Sequence, residues 1–318
     1  MALPVVSEDV LPQPMLSPLT SAAVFLVVTV APGGESTARG VLAGLAGLER
    51  SVGFSTPEGA LGCVAGIGAE AWDRLFGSPR PAALHPFREL DGPRHRAVAT
   101  PGDLLFHIRA TRVDLCFALA AEIMRQLRGA AGLEDEVQAF AYFSRNLLGF
   151  VDGTENPVGR VAAEAVLVGD EDPDFRGGSY VLVQKYLHDV DSWEKLPVEA
   201  QEKVIGRTKL TNLELDVEGS HVDVNTLVGP DGTEQRILRA AMPFRRPGQG
   251  EFGTYFIAYA RDPEVPEVPE AMLRKMFLGE PPTGHDPILD FSRAVTGTMF
   301  FVPSADFLRT IPDRRPPK

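Results

Sequence analysis

The sequence predicts an α+β fold made of two similar modules that lie side by side. A strand followed by a helix occurs twice in the first half of the chain and twice again in the second half. Hairpin-like stretches separate these pairs, a pattern typical of antiparallel sheets with helices packed outside. With 318 residues, the chain can bury a sizeable core in such modules.

The first module begins with the apolar run 21–30, whose length and composition indicate a buried strand. A helix is predicted next, with Ser36 as its N-cap and leucine and valine residues at helical spacing behind it. A second strand is predicted over 104–112, and a long helix over 113–128. These elements define a first module that we place at residues 1–150.

The second module, residues 151–318, repeats this plan. Its acidic, glycine-rich stretch 169–178 is expected to be a solvated linker. Asp191 is predicted to cap a short helical segment. The other predicted elements are strands over 179–187 and 254–261 and helices over 197–205 and 268–277.

Composition excludes several classes of partner. A formal net charge of −12 argues against nucleic acid and anionic membranes. The apolar run 22–30 is too short to cross a bilayer, and no secretory signal is apparent, so a cytoplasmic location is expected. Cys63 and Cys116 lie in apolar surroundings without metal-ligand spacing, which indicates two buried thiols.

The most informative stretch is Asn146-Leu-Leu-Gly-Phe-Val-Asp-Gly-Thr-Glu-Asn-Pro157. Asp152 follows an apolar run, where a carboxylate is costly unless it is paired, hydrogen-bonded or protonated. Gly153 lets the backbone turn sharply or approach a ligand, and three polar side chains follow it. From the residues alone, an ordinary Asp-Gly turn is an equally good interpretation.

The run Gly149-Phe-Val-Asp-Gly-Thr-Glu-Asn-Pro157 closely resembles the signature of dye-decolourising peroxidases, a family of haem enzymes. The chain looks most like the B-type members, and the resemblance is strongest over residues 140–300. It implies a tandem ferredoxin-like fold of the dimeric α+β barrel kind, which agrees with the two predicted modules. It also implies that Asp152 lies on the distal face of the haem and handles the peroxide proton.

The residues alone do not choose an iron ligand among the six histidines. By the resemblance, Gly-Ser-His-Val at 219–222 matches the proximal histidine of the family, so His221 is the expected ligand of the haem iron. Its other ring nitrogen is expected to donate to a carboxylate, which makes the ligand more electron-rich. Asp290 is the expected partner, with Glu214 as the second choice.

Arg239 has apolar neighbours on both sides, and a buried arginine needs an anionic partner, which a structural ion pair would also supply. By the resemblance it is the distal arginine, which stabilises charge on the leaving oxygen of peroxide or holds a haem propionate. Where the B-type pattern has Asn, this chain has Ala241. The departure removes a distal amide, which puts the rate of peroxide activation and the distal water structure in question.

The resemblance also implies contacts to the rest of the cofactor. The guanidinium fork of Arg207 suits one propionate, and Glu155 and Asn156 are expected near the other. Phe256 is expected to line the distal pocket. The full set expected to bind the cofactor is Gly153, Thr154, Glu155, Asn156, Arg207, His221 and Phe256.

The activity that the resemblance implies is that of a haem b peroxidase, which reduces hydrogen peroxide, forms a ferryl intermediate and oxidises dyes, phenols or other one-electron donors. Whether Asp152 or Arg239 contributes most stays open. A haem-handling protein with little turnover and a non-haem module that assembles into oligomers are the alternatives, and retention of both residues favours the peroxidase. We expect a homo-oligomer. Because the last residues lack a Gly-Leu-Gly-Ile-type cargo tail, encapsulation in a protein shell is not expected.

Overall fold

The computed structural model describes residues 10–143, 145–228, 234–261, 269–279 and 284–313. Its strands are β1 (Ala22–Val30), β2 (Gly62–Gly68), β3 (Leu90–Asp91), β4 (Arg96–Ala97), β5 (Leu104–Ala110), β6 (Ala131–Phe140), β7 (Ser179–His188), β8 (Leu227–Val228), β9 (Glu234–Gln235), β10 (Leu238–Arg239), β11 (Met242–Arg246), β12 (Glu251–Ala260), β13 (Ser292–Ala294) and β14 (Thr298–Val302). Its helices are α1 (Glu35–Gly53), α2 (Ala69–Leu75), α3 (Val113–Gln126), α4 (Gly159–Val166), α5 (Val190–Glu194), α6 (Val198–Ile205), α7 (His221–Asn225), α8 (Pro269–Leu278) and α9 (Ala305–Thr310).

The long strands form one antiparallel sheet in the order β10-β12-β7-β14-β2-β5-β1-β6, with β11 also on β12 and β13 also on β7. Along this order, each half of the chain contributes four strands in the same arrangement. In the first half β1 lies between β5 and β6, and in the second half β7 lies between β12 and β14. This repeat confirms the predicted α+β class with ferredoxin-like modules.

Strands β2 and β14 pair across the two halves, so both modules share the sheet. The sheet curls until β6 approaches β11, where Arg246 Nη2 lies 3.5 Å from the carbonyl oxygen of Glu136. Lys185 Nζ of β7 lies 3.1 Å from Asp135 Oδ1 of β6. The interior is filled by one apolar cluster that includes Phe25. Helices α1 and α3 cover the outside of the first half, and α8 covers the second. The module boundary at residue 150 stays a prediction.

The predicted elements lie within a few residues of the observed ones, but both predicted caps are wrong. Ser36 lies inside α1, which begins after Gly34 without a side-chain cap. At α5 the cap is Asp189, whose carboxylate accepts a hydrogen bond from the backbone N–H of Ser192, so Asp191 falls in the first turn. The predicted helix start at residue 268 lies outside the described residues.

The prediction of two buried thiols is confirmed. Cys63 and Cys116 are both buried free thiols. Among the helices that the structure describes, none combines the length and apolar character needed to cross a membrane.

Candidate active site

One cavity collects the predicted site residues. It is lined by β7 and β12, by helices α7 and α8, and by the loop that carries the acidic motif. The predicted residues that line it are Asp152, Gly153, Thr154, Glu155, Asn156, Arg207, His221, Arg239, Ala241 and Phe256. Residues that are far apart in the chain therefore converge on one space, although the structure by itself assigns none of them a role.

His221 is the first residue of α7, whose N-cap is Ser220. Its Nδ1 lies 2.7 Å from Asp286 Oδ2. Asp286 is 0% exposed, and its carboxylate also accepts hydrogen bonds from Asn225 Nδ2 at 2.9 Å and from the backbone N–H of Ile288 at 3.0 Å. Because Nδ1 is engaged, Nε2 is the nitrogen of His221 that is left for a metal.

The expected carboxylate partners of His221 are therefore wrong. Asp290 ends the 3-10 turn that Asp286 begins, and its carboxylate contacts His95 and His285 instead. Burial works to raise the pKa of Asp290, but the hydrogen bonds from these histidines outweigh it and lower the pKa.

Glu214, the second choice, lies elsewhere. Its Oε2 is 3.2 Å from Arg207 Nη2, and its side chain is 66% exposed.

The hydrogen bond to Asp286 also affects the pKa of His221. Burial would lower this pKa, but the Asp286 carboxylate outweighs burial and raises it above its usual value. An imidazole that is hydrogen-bonded to a buried carboxylate is a strong electron donor to a metal bound at its other nitrogen.

The loop before Asp152 is fixed by its own side chains. Asn146 Oδ1 accepts hydrogen bonds from the backbone N–H groups of Leu148 and Phe150, both at 3.1 Å. Gly153 adopts φ +73°, a conformation that favours glycine, and its N–H donates to Asp152 Oδ1 at 2.8 Å. This turn presents the Asp152 carboxylate to the cavity.

The Asp152 carboxylate lies at the cavity surface, where it stays accessible to solvent while the lining protein atoms reduce its hydration. Desolvation raises its pKa above the usual value of 3.8, and the Gly153 N–H, His221 and Arg239 work in the opposite direction. A carboxyl group with a raised pKa inside a cavity is a typical feature of a proton-transfer site.

Arg239 ends the short strand β10 and faces the same cavity. Asn156 holds its backbone from both sides: Asn156 Nδ2 donates to the carbonyl oxygen of Arg239 at 2.7 Å, and the N–H of Arg239 donates to Asn156 Oδ1 at 2.9 Å. The guanidinium Nη2 lies 3.8 Å from Met272 Sδ. Ala241 stands two residues later and leaves its part of the cavity wall without a polar side chain.

The comparisons with known proteins identify the family. Models of the Dyp-type peroxidase C-terminal and N-terminal domains match residues 143–307 and 12–141. This chain belongs to the Dyp-type peroxidase family. It is 56% identical over 318 residues to a dye-decolorizing peroxidase of Rhodococcus erythropolis, covering 98% of this chain and 91% of that protein. It is 54% identical to one of Mycobacterium tuberculosis, covering 100% and 93%.

Solved structures of Dyp-type peroxidases share the fold closely. DyPB from Rhodococcus jostii is 55% identical, with a TM-score of 0.91 over 94% of this chain and 97% of that one. The encapsulated DyP-type peroxidase from Mycobacterium smegmatis is 54% identical, with a TM-score of 0.93 over 96% and 99%. The chain is a haem-dependent peroxidase, as the resemblance implied. The cargo-tail expectation concerns residues 314–318, which lie outside the described residues.

The cavity fits the haem of Dyp-type peroxidases by its donor set. An imidazole with one engaged nitrogen, a carboxyl group, and arginines face a space whose lining also includes the apolar side chains of Phe256, Met272 and Ile288. Apolar walls suit a porphyrin, and the arginines suit its propionates. A structure of a Rhodococcus jostii DypB variant is a complex with heme.

The residues expected to contact the haem propionates are hydrogen-bonded to other protein groups in this structure. Arg207, 8% exposed, donates to Glu155 and to Glu214, and its Nη1 donates to the carbonyl oxygen of Asn212 at 3.0 Å. Thr154 Oγ1 accepts from Asn212 Nδ2 at 3.1 Å. These residues form a polar network at one edge of the cavity.

Sequence reasoning missed His188, which also lines the cavity. Its Nδ1 lies 2.8 Å from Ser292 Oγ and its Nε2 lies 2.9 Å from Thr254 Oγ1. Burial lowers the pKa of His188 to about 4, so this imidazole is neutral at ordinary pH. In the sequence, His188 ends a strand and is followed by acidic residues. This pattern indicates an exposed side chain, so the sequence did not point to the cavity.

Proposed function

We propose that His221 holds the haem iron of this peroxidase and that Asp152 and Arg239 act on bound peroxide. The observation that carries this assignment is that one cavity joins an imidazole backed by a buried carboxylate to a desolvated acid and a guanidinium group. When bound, haem b would supply the iron at which hydrogen peroxide is reduced and would hold the oxidising equivalents of the peroxide until one-electron donors such as dyes or phenols are oxidised.

Asp152 moves the proton in this proposal. Its Oδ1 is held by the N–H of Gly153, which leaves Oδ2 to take the proton of the inner peroxide oxygen and return it to the outer one. The carboxylate must be ionised to do this, and the raised pKa brings it nearer to the operating pH, where a base is most effective.

Arg239 supplies charge rather than a proton. Its guanidinium stays protonated, and its fork of N–H donors stabilises the negative charge that develops as the O–O bond breaks. Asn156 fixes the backbone from which this side chain extends, so we assign Asn156 a positioning role in place of the expected propionate contact.

Haem would be held by His221 at the iron, by Phe256, Met272 and Ile288 along the ring, and by Arg207 at a propionate. A propionate at Arg207 would compete with Glu155 and Glu214, which this guanidinium now contacts. Binding therefore exchanges one ion pair for another, and the site keeps its arginine paired in both states.

The test is stopped-flow absorbance of the haem-loaded chain after one equivalent of hydrogen peroxide. We expect a rapid change of the Soret band that a dye reverses, and slower changes in Asp152→Ala and Arg239→Ala. If both variants respond to peroxide at the parental rate, the roles proposed for Asp152 and Arg239 are wrong. The slower of the two variants identifies the main catalyst.

We further propose a homo-oligomer located in the cytoplasm. Large apolar side chains stay exposed near the acidic motif, among them Phe143 at 84% and Leu210 at 85%. Two free thiols suit a reducing compartment. Light scattering on a sizing column should give a multiple of the 34.4 kDa chain mass, and Leu210→Asp should reduce it.

A further inference from the structure

Outside the haem cavity, two histidines and one aspartate converge on a single point. His95 comes from the turn between β3 and β4, His285 lies two residues before the 3-10 turn Pro287–Asp290, and Asp290 ends that turn. Asp290 Oδ1 lies 2.9 Å from His95 Nε2 and 3.1 Å from His285 Nε2. Among the described residues, these three form the group of histidine, cysteine and acidic side chains that could hold a metal ion, with one ligand atom from each lying within 4.8 Å of the others.

We propose that His95, His285 and Asp290 form a binding site for a divalent transition metal ion of the zinc class. Two imidazoles and one carboxylate are the three-ligand set that such ions take when water completes a tetrahedron. With metal–ligand bonds of about 2.0–2.2 Å, neighbouring ligand atoms lie roughly 3–3.5 Å apart. The observed separations to Asp290 Oδ1 are close to that range, whereas the two imidazole nitrogens, which lie within 4.8 Å of each other, would have to approach by up to roughly 1 Å.

The three side chains are placed so that an ion can reach them. Their exposures are 22% for His95, 18% for His285 and 34% for Asp290, which leaves one side of the group open to solvent. Without a metal, the Nε2–H groups of both imidazoles donate to one oxygen of Asp290. A metal would displace these two protons, and each imidazole would bind it through Nε2 in its neutral form.

One neighbour opposes metal binding. Arg94 Nη2 lies 3.4 Å from Asp290 Oδ1, and its side chain is 63% exposed. Its positive charge competes with the ion for the carboxylate, but an exposed arginine can move away at little cost. This competition gives the proposal a variant that is expected to bind more tightly rather than less.

The position of the site gives it a structural consequence. His285 and Asp290 bracket Asp286, the carboxylate that accepts from His221, and the backbone N–H of Asp286 donates to the carbonyl oxygen of Met276 in α8 at 2.9 Å. An ion shared with His95 would tie this turn to the β3–β4 hairpin. The site thus fixes the segment that orients the imidazole in the haem cavity, while it lies outside that cavity itself.

The experiment is calorimetric titration of zinc chloride into haem-loaded, tag-free protein after removal of trace metals with a chelator. We expect one equivalent to bind, with affinity reduced more than about tenfold in His95→Ala and in His285→Ala, since even outer-shell partners carry about that much. Arg94→Ala should bind zinc more tightly than the parent, a gain that misfolding cannot produce.

The matched control is His85→Ala. His85 Nε2 lies 3.4 Å from Glu270 Oε1, and within the part of the chain that the structure describes this pair belongs to no group of three potential metal ligands. Zinc affinity should be unchanged in this variant. Failure of the parent to bind zinc at about 1 mM, or equal binding by the parent and both His95→Ala and His285→Ala, would overturn the proposal.

Amide hydrogen exchange locates the bound ion without reference to activity. Zinc should slow exchange at residues 284–291 and at the β3–β4 hairpin in the parent, but not in His95→Ala. Zinc binding with unchanged exchange in both segments would place the ion elsewhere and would also overturn the proposal.

Discussion

The two walls of the haem cavity are built in opposite ways. On the side of His221, the buried Asp286 carboxylate accepts three hydrogen bonds, from His221, Asn225 and Ile288. On the side of Asp152, within the residues that the structure describes, the carboxylate accepts one, from Gly153. A fully satisfied network fixes a geometry, whereas a carboxyl group with an unengaged oxygen and a raised pKa can exchange a proton. In line with the roles proposed above, we call the side of His221, Asn225 and Asp286 the holding wall and the side of Asp152 and Arg239 the reactive wall.

The largest expected effect tests whether the reactive wall depends on Arg239. Arg239→Leu should lower the second-order rate of the peroxide-induced Soret change by about 10²–10³-fold, the usual cost of losing a donor to a developing oxyanion. Arg239→Lys is the control, because it keeps the charge but not the planar fork, and it should retain part of the rate. If Arg239→Leu reacts at the parental rate, the charge-stabilising role is wrong.

The next prediction concerns the contribution of Asp286, in the holding wall, to the free energy of unfolding. Asp286→Ala leaves the donors of His221, Asn225 and Ile288 without their acceptor, so we expect the free energy of unfolding to fall by about 3 kcal/mol. Urea unfolding of the haem-loaded chain measures it. The matched control is Asp290→Ala, whose partly exposed side chain should cost no more than about 1 kcal/mol. Equal costs for the two variants would remove the distinction between the carboxylates.

A third test measures how the rate of the peroxide reaction depends on Asp152 and on pH. Asp152→Asn should slow the peroxide reaction by about 10²-fold. In the parent, the rate should rise as pH increases through the raised pKa of Asp152, because only the carboxylate can accept the proton. A rate profile that is flat from about pH 4 to 7 would assign the proton transfer to another group.

The same pKa shift has a consequence for stability. The folded pKa is raised above 3.8, so the folded chain resists ionisation of Asp152 and loses stability as pH rises from the unfolded to the folded pKa. Asp152→Asn cannot ionise, so it should melt at a higher temperature than the parent at neutral pH and lose this advantage in acid. An advantage that is independent of pH would not come from the carboxyl group.

The comparison of the two walls also shows what the sequence can predict. The reactive wall rests on a contiguous motif, so Asp152 and its glycine turn were found from neighbouring residues and a family resemblance. The holding wall joins His221 to a carboxylate 65 positions away, and both Asp286 and Asp290 were available. The 3-10 turn decides between them, because Asp286 begins it and points inward while Asp290 ends it and contacts two outer histidines. The repeated strand–helix pattern predicted the modules, but the pairing of β2 with β14 comes from tertiary packing.

The smallest expected effect concerns the link between the motif loop and Arg239. Asn156→Ala removes two hydrogen bonds to the Arg239 backbone, so we expect about 1–2 kcal/mol of stability to be lost and the peroxide reaction to slow by about tenfold through misplacement of the guanidinium. The rate effect should vanish when Asn156→Ala is made in the Arg239→Leu chain, because no guanidinium is left to misplace. The loss of stability should remain in that double variant, since a leucine side chain at this position leaves the backbone N–H and carbonyl groups unchanged. If the rate effects instead multiply, Asn156 acts on the reaction by a route other than Arg239, and the reactive wall has a third independent member.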